Sequence, residues 1–502
     1  MKTVDPSAAH GKETELKLAL PTDDPAGLAR RLARASVLNR RKPIQQQLHS
    51  VYFDTPEQHL RQQQAALRIR RVDGPGAPQW LQTLKSGKSG RSALSQRGEW
   101  EKSVAGPALE HAALDPKAWS RIDPHGDVFA ALTPCFITDF TRTIWLVRRR
   151  DGSLVEVALD IGSVRGGDRT SPICELELEL KAGPVSALFD IALQIAASLP
   201  VLPLAMSKAQ RGYALAADAV DAPVQADPPR LKAGMSLNEA ARSVLGEMFG
   251  QFNANLNALR HSDDPEVVHQ ARVAWRRFRS ARRLFKSMLA TTSTPDWQAL
   301  VPLLAFLGDL RDLDVALGHT LPPLRDDYVA QSSQRGVAWA ALLRALAQAA
   351  AVQRSAARYA LEDPALGACL VLTTQWLEQM AAPGGAGDTT DAGDQPQLRR
   401  WANRRTTRLH TRLKLASKRA NDPQSLHDAR ILAKRTRYTI DALRGILPQP
   451  MVRKWYRQAV EMQEQLGANR DDDQAIALLS QVAAPADIVA FLRGVAACRR
   501  SR

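Results

Sequence analysis

At 502 residues the chain exceeds what one hydrophobic core normally organises, so roughly two to four domains are expected. A net charge of +16 and a pI near 10.0 call for a polyanionic partner, and most of the excess lies in the second half. Four cysteines without a C-x-x-C pair exclude a zinc ribbon and a disulfide scaffold. Met1–His10 lacks a signal-peptide core, no apolar run of about 18 residues exists, and the expectation is a cytoplasmic protein.

Residues 1–215 alternate as strands do. Thr14 to Leu20, Leu67 to Val72, Trp80 to Lys85, Leu154 to Ile161 and Cys174 to Lys181 are separated by turn sequences such as Asp73-Gly74-Pro75-Gly76 and Asp151-Gly152. Short helices fit at 25–35 and 184–198. Because alternate side chains of a strand share a face, Glu13, Glu15 and Lys17 point one way and Thr14, Leu16 and Leu18 the other. Glu175, Glu177, Glu179 and Lys181 share a second such face. Arg68 and Arg70 share a third, Arg97, Glu99 and Glu101 a fourth, and Glu156 and Asp160 a fifth. A sheet wet on one side also alternates. Three glutamates in a row on one face, however, repel unless cations intervene. Turned inward in a curved or closed sheet, these faces would make a charged channel suited to a polyphosphate group and a divalent cation. Carboxylate oxygens hold hard cations, and Arg and Lys neutralise phosphate oxygens.

The first half resembles the CYTH family on Glu13-x-Glu15-x-Lys17, Tyr52-Phe53-Asp54-Thr55, Leu67-Arg68-Ile69-Arg70, Lys85, Arg97-Gly98-Glu99-Trp100-Glu101, Arg142, Asp160, Glu175–Lys181 and Ser207-Lys208. The resemblance implies an eight-stranded antiparallel barrel, a triphosphate tunnel, with Mg²⁺ or Mn²⁺ as cofactor. Carried over by position, Lys17, Arg68, Arg70, Lys85, Arg97, Arg142 and Lys208 would bind phosphate. Glu13, Glu15, Asp160, Glu175 and Glu177 would hold the metal, and Glu13, Glu15, Lys17, Glu99 and Glu101 form the catalytic set, with Glu99 and Glu101 both open for the assisting carboxylate. Family members act on inorganic triphosphate, thiamine triphosphate or ATP. Tyr52, Trp80 and Trp145 are read as core.

Residues 216–234, rich in Ala, Asp and Pro, read as a linker, and 235–502 as helical. This half repeats itself. His269-x-x-Arg272-x-x-x-Arg276-Arg277-x-Arg279 returns as His427-x-x-Arg430-x-x-x-Lys434-Arg435-x-Arg437. Leu307-Gly308-Asp309-Leu310-Arg311-Asp312-Leu313-Asp314 returns as Leu466-Gly467-Ala468-Asn469-Arg470-Asp471-Asp472-Asp473. A duplicated unit is therefore expected, its halves divided near the Gly/Asp-rich 381–397. At roughly 100° per residue, His269, Arg272, Arg276, Arg279 and Arg283 share one helix face; in the second copy Asp441 interrupts the series. Such a stripe can be a solvated face, but it lacks the interleaved Glu of a salt-bridged surface helix. The Arg-Asp-x-Asp phrases read as salt bridges near a helix end rather than metal ligands.

This half resembles the CHAD family over about 235–493, on His269, Arg272, Arg276, Arg277, Arg279, Arg283, His427, Arg430, Lys434, Arg435, Arg437 and Tyr438. The ligand that the resemblance implies is inorganic polyphosphate. The expected protein is a multidomain α+β chain: a barrel that hydrolyses inorganic triphosphate, then an all-α domain of two repeated halves that binds polyphosphate. The alternatives are a non-catalytic polyphosphate-binding or granule-targeting protein, and a barrel enzyme of this kind acting on thiamine triphosphate or ATP. A membrane partner is excluded, and nucleic acid is disfavoured because no RNP-type aromatics, zinc spacing or helix-turn-helix phrase is present.

Overall fold

The computed structural model describes residues 11–500 except 23, 75, 88–89, 233, 290–292, 381–394, 420–421 and 466–467. The expected loop at 381–397 lies largely outside the described residues, as does Leu466-Gly467 of the second repeated phrase. The chain divides into two compact units. The first runs to Ala222 and includes Leu361–Gln375; the second comprises Pro223–Ala360 and the residues from Trp376 onward.

The first unit is built on antiparallel strands: β1 Gly11–Ala19, β2 Ile44–Asp54, β3 Ala65–Asp73, β4 Gln79–Ser86, β5 Leu94–Val104, β6 Thr133–Arg148, β7 Leu154–Gly166 and β8 Arg169–Ala182. They run in the order β5-β4-β3-β2-β6-β7-β8-β1, and β1 pairs back onto β5, closing an eight-stranded barrel. A two-residue β9, Leu202–Pro203, adds to β1. Five of the strands were expected from alternation; β2, β5 and β6 were not among those segments.

The barrel is inverted relative to an ordinary core. Its leucine faces point outward and are buried under helices. Leu16, Leu18, Trp145, Val155, Val157, Leu176 and Leu178 pack with α1 (Leu28–Leu32) and α4 (Ser186–Ala196), numbered with α2 (His59–Gln62) and α3 (Pro116–Trp119) between them. A second cluster with Leu67, Leu84 and Trp119 covers the side near α2 and α3. Burying these side chains releases apolar area at roughly 25 cal/mol per Å², which allows the interior to remain charged. One end of the interior is filled by Leu48, Phe136, Phe140, Val164 and Ile173 with Tyr213 of α5 (Lys208–Ala216). Gly162 permits this plug, since a Cβ there would lie 2.1 Å from the Asp139 carbonyl oxygen. Tyr213 donates a 2.6 Å hydrogen bond to Asp54, whose carboxylate also accepts the backbone N–H groups of Thr55, Leu60 and Arg61. Val371 packs in this unit's core, and Gly367 lies against Val201, so the 361–375 segment belongs here despite its place in the helical sequence.

The second unit contains α6 Leu237–Leu259, α7 Pro265–Leu284, α8 Val301–Val315, α9 Arg325–Val329 and α10 Ser333–Ala360, then part of α11 Pro364–Gln379. It continues with α12 Gln395–Lys418, α13 Pro423–Leu443, α14 Gln449–Gln465, α15 Ala468–Gln481 and α16 Ala486–Arg500. The two signature helices start alike. Asp264 caps α7 and Asp422 caps α13, each followed by proline at the first helical position, and each stands five residues before its histidine. The duplication therefore extends upstream of the histidines, into the signals that fix where each helix begins. The helices α7 and α13 pack against one another. Among the described residues no helix is long and apolar enough to cross a membrane.

The candidate active site in the barrel

Strand register assembles most of the interior charges. Directly opposite residues share a face, and Glu13 faces Arg97, Lys17 faces Glu177, Lys85 faces Glu99 and Arg142 faces Asp160. These faces enclose a cavity of about 750 Å³. Lys85 Nζ donates to both Glu13 oxygens at 3.0 and 2.9 Å and lies 3.1 Å from Glu99. Arg97 bridges Glu13, at 3.3 Å, and Glu15. Lys17 lies 3.5 Å from Glu15.

Across the cavity, Asp160 receives both arms of Arg142 at 2.7 Å. The N-terminal residue of α5 then delivers an ammonium: Lys208 Nζ lies 2.6 Å from Asp160, 2.9 Å from Glu177 and in contact with Glu175. α5 starts there because Ser207 and Gln210 form a capping box. Burial works against the Lys208 charge, but the three carboxylates hold its pKa above the usual lysine range. Burial also opposes the Glu177 charge, yet Lys208, Arg142 and Lys17 hold that carboxyl well below the usual range. Glu179 goes the other way: burial raises it, Lys181 opposes that rise, and Glu13 and Glu156 add to it.

The closed end differs. Lys208, Arg70 and Arg142 stand 5.0, 5.7 and 5.7 Å from the Phe140 ring centroid. Arg70 donates to Ser50 Oγ at 3.0 Å and Arg68 to the Tyr52 hydroxyl at 3.3 Å. Burial, then Arg68 and Arg142, pull Arg70 down to about 10. A guanidinium so crowded by cations favours an anion beside it. Burial pushes the Tyr52 phenol up, but Arg68 and Arg70 outweigh it.

Glu13, Glu15, Lys17, Arg68, Arg70, Lys85, Arg97, Glu99, Glu101, Arg142, Glu177 and Lys208 all line the cavity. Asp160 and Glu175, 0% and 1% exposed, do not; they sit behind Lys208. Glu99 pairs with Lys85, whereas Glu101 accepts a hydrogen bond from Thr83 at 2.8 Å. Glu156 and Lys181 join the lining from faces already visible as alternation, and Glu179 extends the acidic row inward. Tyr52 was read as core. Its ring does stack on Phe136 at 4.6 Å, but its hydroxyl enters the cavity, a fact that depends on the plug rather than on spacing. Trp145 is core and fully buried.

Asp160, Glu175 and Glu177 each offer a carboxylate oxygen within 4.8 Å of the others, and among the described residues this is the one such acidic set. All-oxygen donors fit a hard divalent cation. With Lys208 already among these three, Glu13, Glu15 and Glu179 of the cavity lining are further oxygen donors.

In the helical unit the signature residues divide. Arg276, Arg279 and Arg283 are exposed, His269 and Arg272 are partly buried, and Arg277 is buried. Gly308 gives Arg272 room, since a Cβ there would approach its guanidinium to 2.9 Å, so the two repeated phrases meet at that glycine. Arg430, Lys434, Arg435 and Arg437 are partly buried on α13, and the His427 side chain lies outside the described residues. Two acids within these phrases form salt bridges with arginines of other helices, Asp472 from the intervening position of the second. Asp314 pairs with Arg354 at 3.4 Å and Asp472 with Arg499 at 2.7 Å.

Residues 11–213 match the CYTH domain and residues 243–480 the CHAD domain. An inorganic triphosphatase of Haemophilus influenzae is 33% identical over 205 residues, 41% of this chain and 55% of that protein. The chain thus spans about half the length of this curated relative. Among solved structures, the CHAD domain of Ricinus communis is 27% identical, with 56% of this chain and 91% of that one covered and a TM-score of 0.46. A Hippeastrum protein with a dominant triphosphatase activity is 21% identical, covering 41% of this chain and 96% of that one, with a TM-score of 0.30.

Proposed function

We propose, for a chain that carries a CYTH domain ahead of a CHAD domain, that the barrel hydrolyses inorganic triphosphate and the helical unit binds polyphosphate. The observation that carries the reading is the opposition inside the barrel: Arg68, Arg70, Arg142 and Lys208 crowd the closed end, while Glu13, Glu15, Glu177 and Glu179 line the wall beside it. The identity of the Haemophilus influenzae relative supports the same activity.

A triphosphate entering this pouch meets guanidinium and ammonium groups fixed before it arrives, which is what phosphoryl transfer asks of a protein. Arg68 and Arg70 are held by Tyr52 and Ser50, and Arg142 by Asp160, so little side-chain freedom is lost on binding. Lys17, Lys85 and Arg97 would compensate the remaining phosphate charges by exchanging some carboxylate contacts for phosphate ones. Glu13, Glu15 and Glu177, with Asp160 and Glu175 behind them, would hold Mg²⁺ or Mn²⁺. When bound, such an ion supplies charge neutralisation on the phosphate oxygens and acidifies a water. Glu99 and Glu101 orient groups on the opposite wall, Glu99 through Lys85 and Glu101 through Thr83.

Phosphate release from tripolyphosphate, followed with malachite green, is expected to require Mg²⁺ or Mn²⁺, to stop in EDTA and to fall at least about a hundredfold in the Glu13→Ala, Glu15→Ala double variant. Undiminished turnover in that variant refutes the assignment. Phosphate release from neither metal form, with tight polyphosphate binding retained, would establish the non-catalytic alternative. In the helical unit the exposed Arg276, Arg279 and Arg283, with Arg430, Lys434 and Arg435 of the packed partner helix, form the polyphosphate-binding surface. An anionic polymer of this kind gives the protein access to polyphosphate granules.

A further inference from the structure

The duplicated stripe changes the sign of its charge at one position, and the structure shows a cavity there. Arg283 of α7 and Asp441 of α13 stand the same number of residues beyond His269 and His427. On the first side, burial and then Arg283, Arg412 and Arg405 hold Arg435 below the usual arginine range, a convergence of guanidiniums from α7, α12 and α13. On the second side, Asp441 lies with Arg277, Arg437 and Arg444 in a cavity of about 270 Å³ that also takes in Tyr438 and Tyr456. Its rim includes Asp227, in a segment pinned to α6 where the Val224 N–H donates to Asn255 at 3.0 Å.

Two of these groups are left incomplete. Arg277 is 8% exposed, and its Nε, like that of Arg437, has no hydrogen-bond partner among the described residues. A buried donor without an acceptor is costly and points to a ligand that supplies one. Burial raises the Asp441 carboxyl even though Arg277, Arg437 and Arg444 pull it down. A cluster made only of cations accepts any phosphate oxygen. A cluster that also presents an acceptor-only carboxylate repels a bare phosphate oxygen but receives a phosphate hydroxyl. In linear polyphosphate near neutral pH only the terminal group carries a second ionisable proton, with a pKa of about 6, as orthophosphate and phosphomonoesters also do. Internal and cyclic units have none.

We propose that the cavity between Arg277 and Arg437 is a terminal-phosphate site: Arg277, Arg437 and Arg444 clamp the phosphate oxygens, and Asp441 accepts its P–OH. The site takes a chain end or free orthophosphate, and it discriminates against internal phosphates. The assignment rests on the reading that the helical unit binds polyphosphate, and it gives the two-sided surface a direction, with the arginine cluster gripping the chain and the Asp441 cavity its end.

Hydrogen–deuterium exchange on the full chain, in EDTA to prevent turnover in the barrel, reads this site locally through peptides spanning 437–456. Orthophosphate, linear tripolyphosphate, cyclic trimetaphosphate and long-chain polyphosphate are titrated separately. Linear tripolyphosphate is expected to protect these peptides at concentrations about tenfold or more below trimetaphosphate. Equal protection by orthophosphate identifies a free phosphate as sufficient, and protection by tripolyphosphate alone identifies the chain end. Asp441→Asn should bring the linear-to-cyclic ratio within about threefold while long-chain protection of 272–283 persists. Trimetaphosphate protecting as well as tripolyphosphate overturns the proposal, and this comparison needs no variant. An unchanged ratio in Asp441→Asn overturns it as well. Failure of long-chain polyphosphate to protect any part of 235–502 instead overturns the polyphosphate reading beneath it.

Discussion

Replacing Lys208 with Met tests how the barrel tolerates its interior. The methionine preserves most of the side-chain volume and removes one ammonium that contacts Asp160 at 2.6 Å, Glu177 at 2.9 Å and Glu175. Those carboxylates lie within 4.8 Å of one another, and two of them have almost no contact with water. Breaking a buried ion pair from one side costs about 3–5 kcal/mol. Arg142 still holds both Asp160 oxygens at 2.7 Å, which places the expected loss near the lower end, about 3 kcal/mol. For a unit of this size that is a fall of about 6–12 °C in the barrel transition, measured by calorimetry on the full chain. The pH dependence has a definite sign. In the parent, Glu177 is held well below the usual carboxylate range, with Lys208 the largest favourable influence against burial. Its ionised form therefore stabilises the fold above the unfolded value of about 4.3, and that contribution is lost as pH falls through the depressed folded value. The gap between parent and variant should be full at pH 7 and narrow as the pH drops below about 4, where Glu177 takes up its proton first in the unfolded state and then in the folded one. A shift under about 2 °C at pH 7, or a gap independent of pH, would refute Lys208 as the counter-ion that makes this interior stable.

Gly162→Ala should destabilise the barrel by about 3 kcal/mol or more, because its Cβ would meet the Asp139 carbonyl oxygen at 2.1 Å and Phe140 Cα at 2.5 Å, backbone atoms that cannot move aside alone. Thermal melting checks this, and an unchanged midpoint would show that the plug is looser than its geometry indicates. Charge reversal of Arg276 and Arg279, both exposed on α7, should weaken binding of labelled polyphosphate and reduce the slope of log affinity against log salt by roughly one for each phosphate no longer neutralised. Fluorescence anisotropy at several salt concentrations measures both, and an unchanged slope would return the stripe to an ordinary solvated face.

Much of the barrel site was legible because a strand's period is exact. Once Glu13, Glu15 and Lys17 alternate with Leu16 and Leu18, every member of the set faces one side, whatever the topology. The same rule exposed Glu175, Glu177 and Glu179, and the outward leucines duly lie under α1 and α4. In the helical half the histidine-centred repeats announced two related helices, and the capping Asp-Pro pairs before them carried the same message unread.

What alternation could not give is depth along the barrel. Asp160 and Glu177 look equivalent in sequence, yet only Glu177 reaches the cavity, since Lys208 arrives from α5 and seals Asp160 and Glu175 behind it. Nor does any local pattern place 361–375 in the first unit, where Val371 enters its core. Sequence by itself determined which residues share a face, because that follows from bond geometry within a few residues. Tertiary structure alone decided which charges pair, which are sealed off and which remain open to a ligand. The Coulomb and desolvation energies that settle those outcomes depend on distances between residues far apart in the chain.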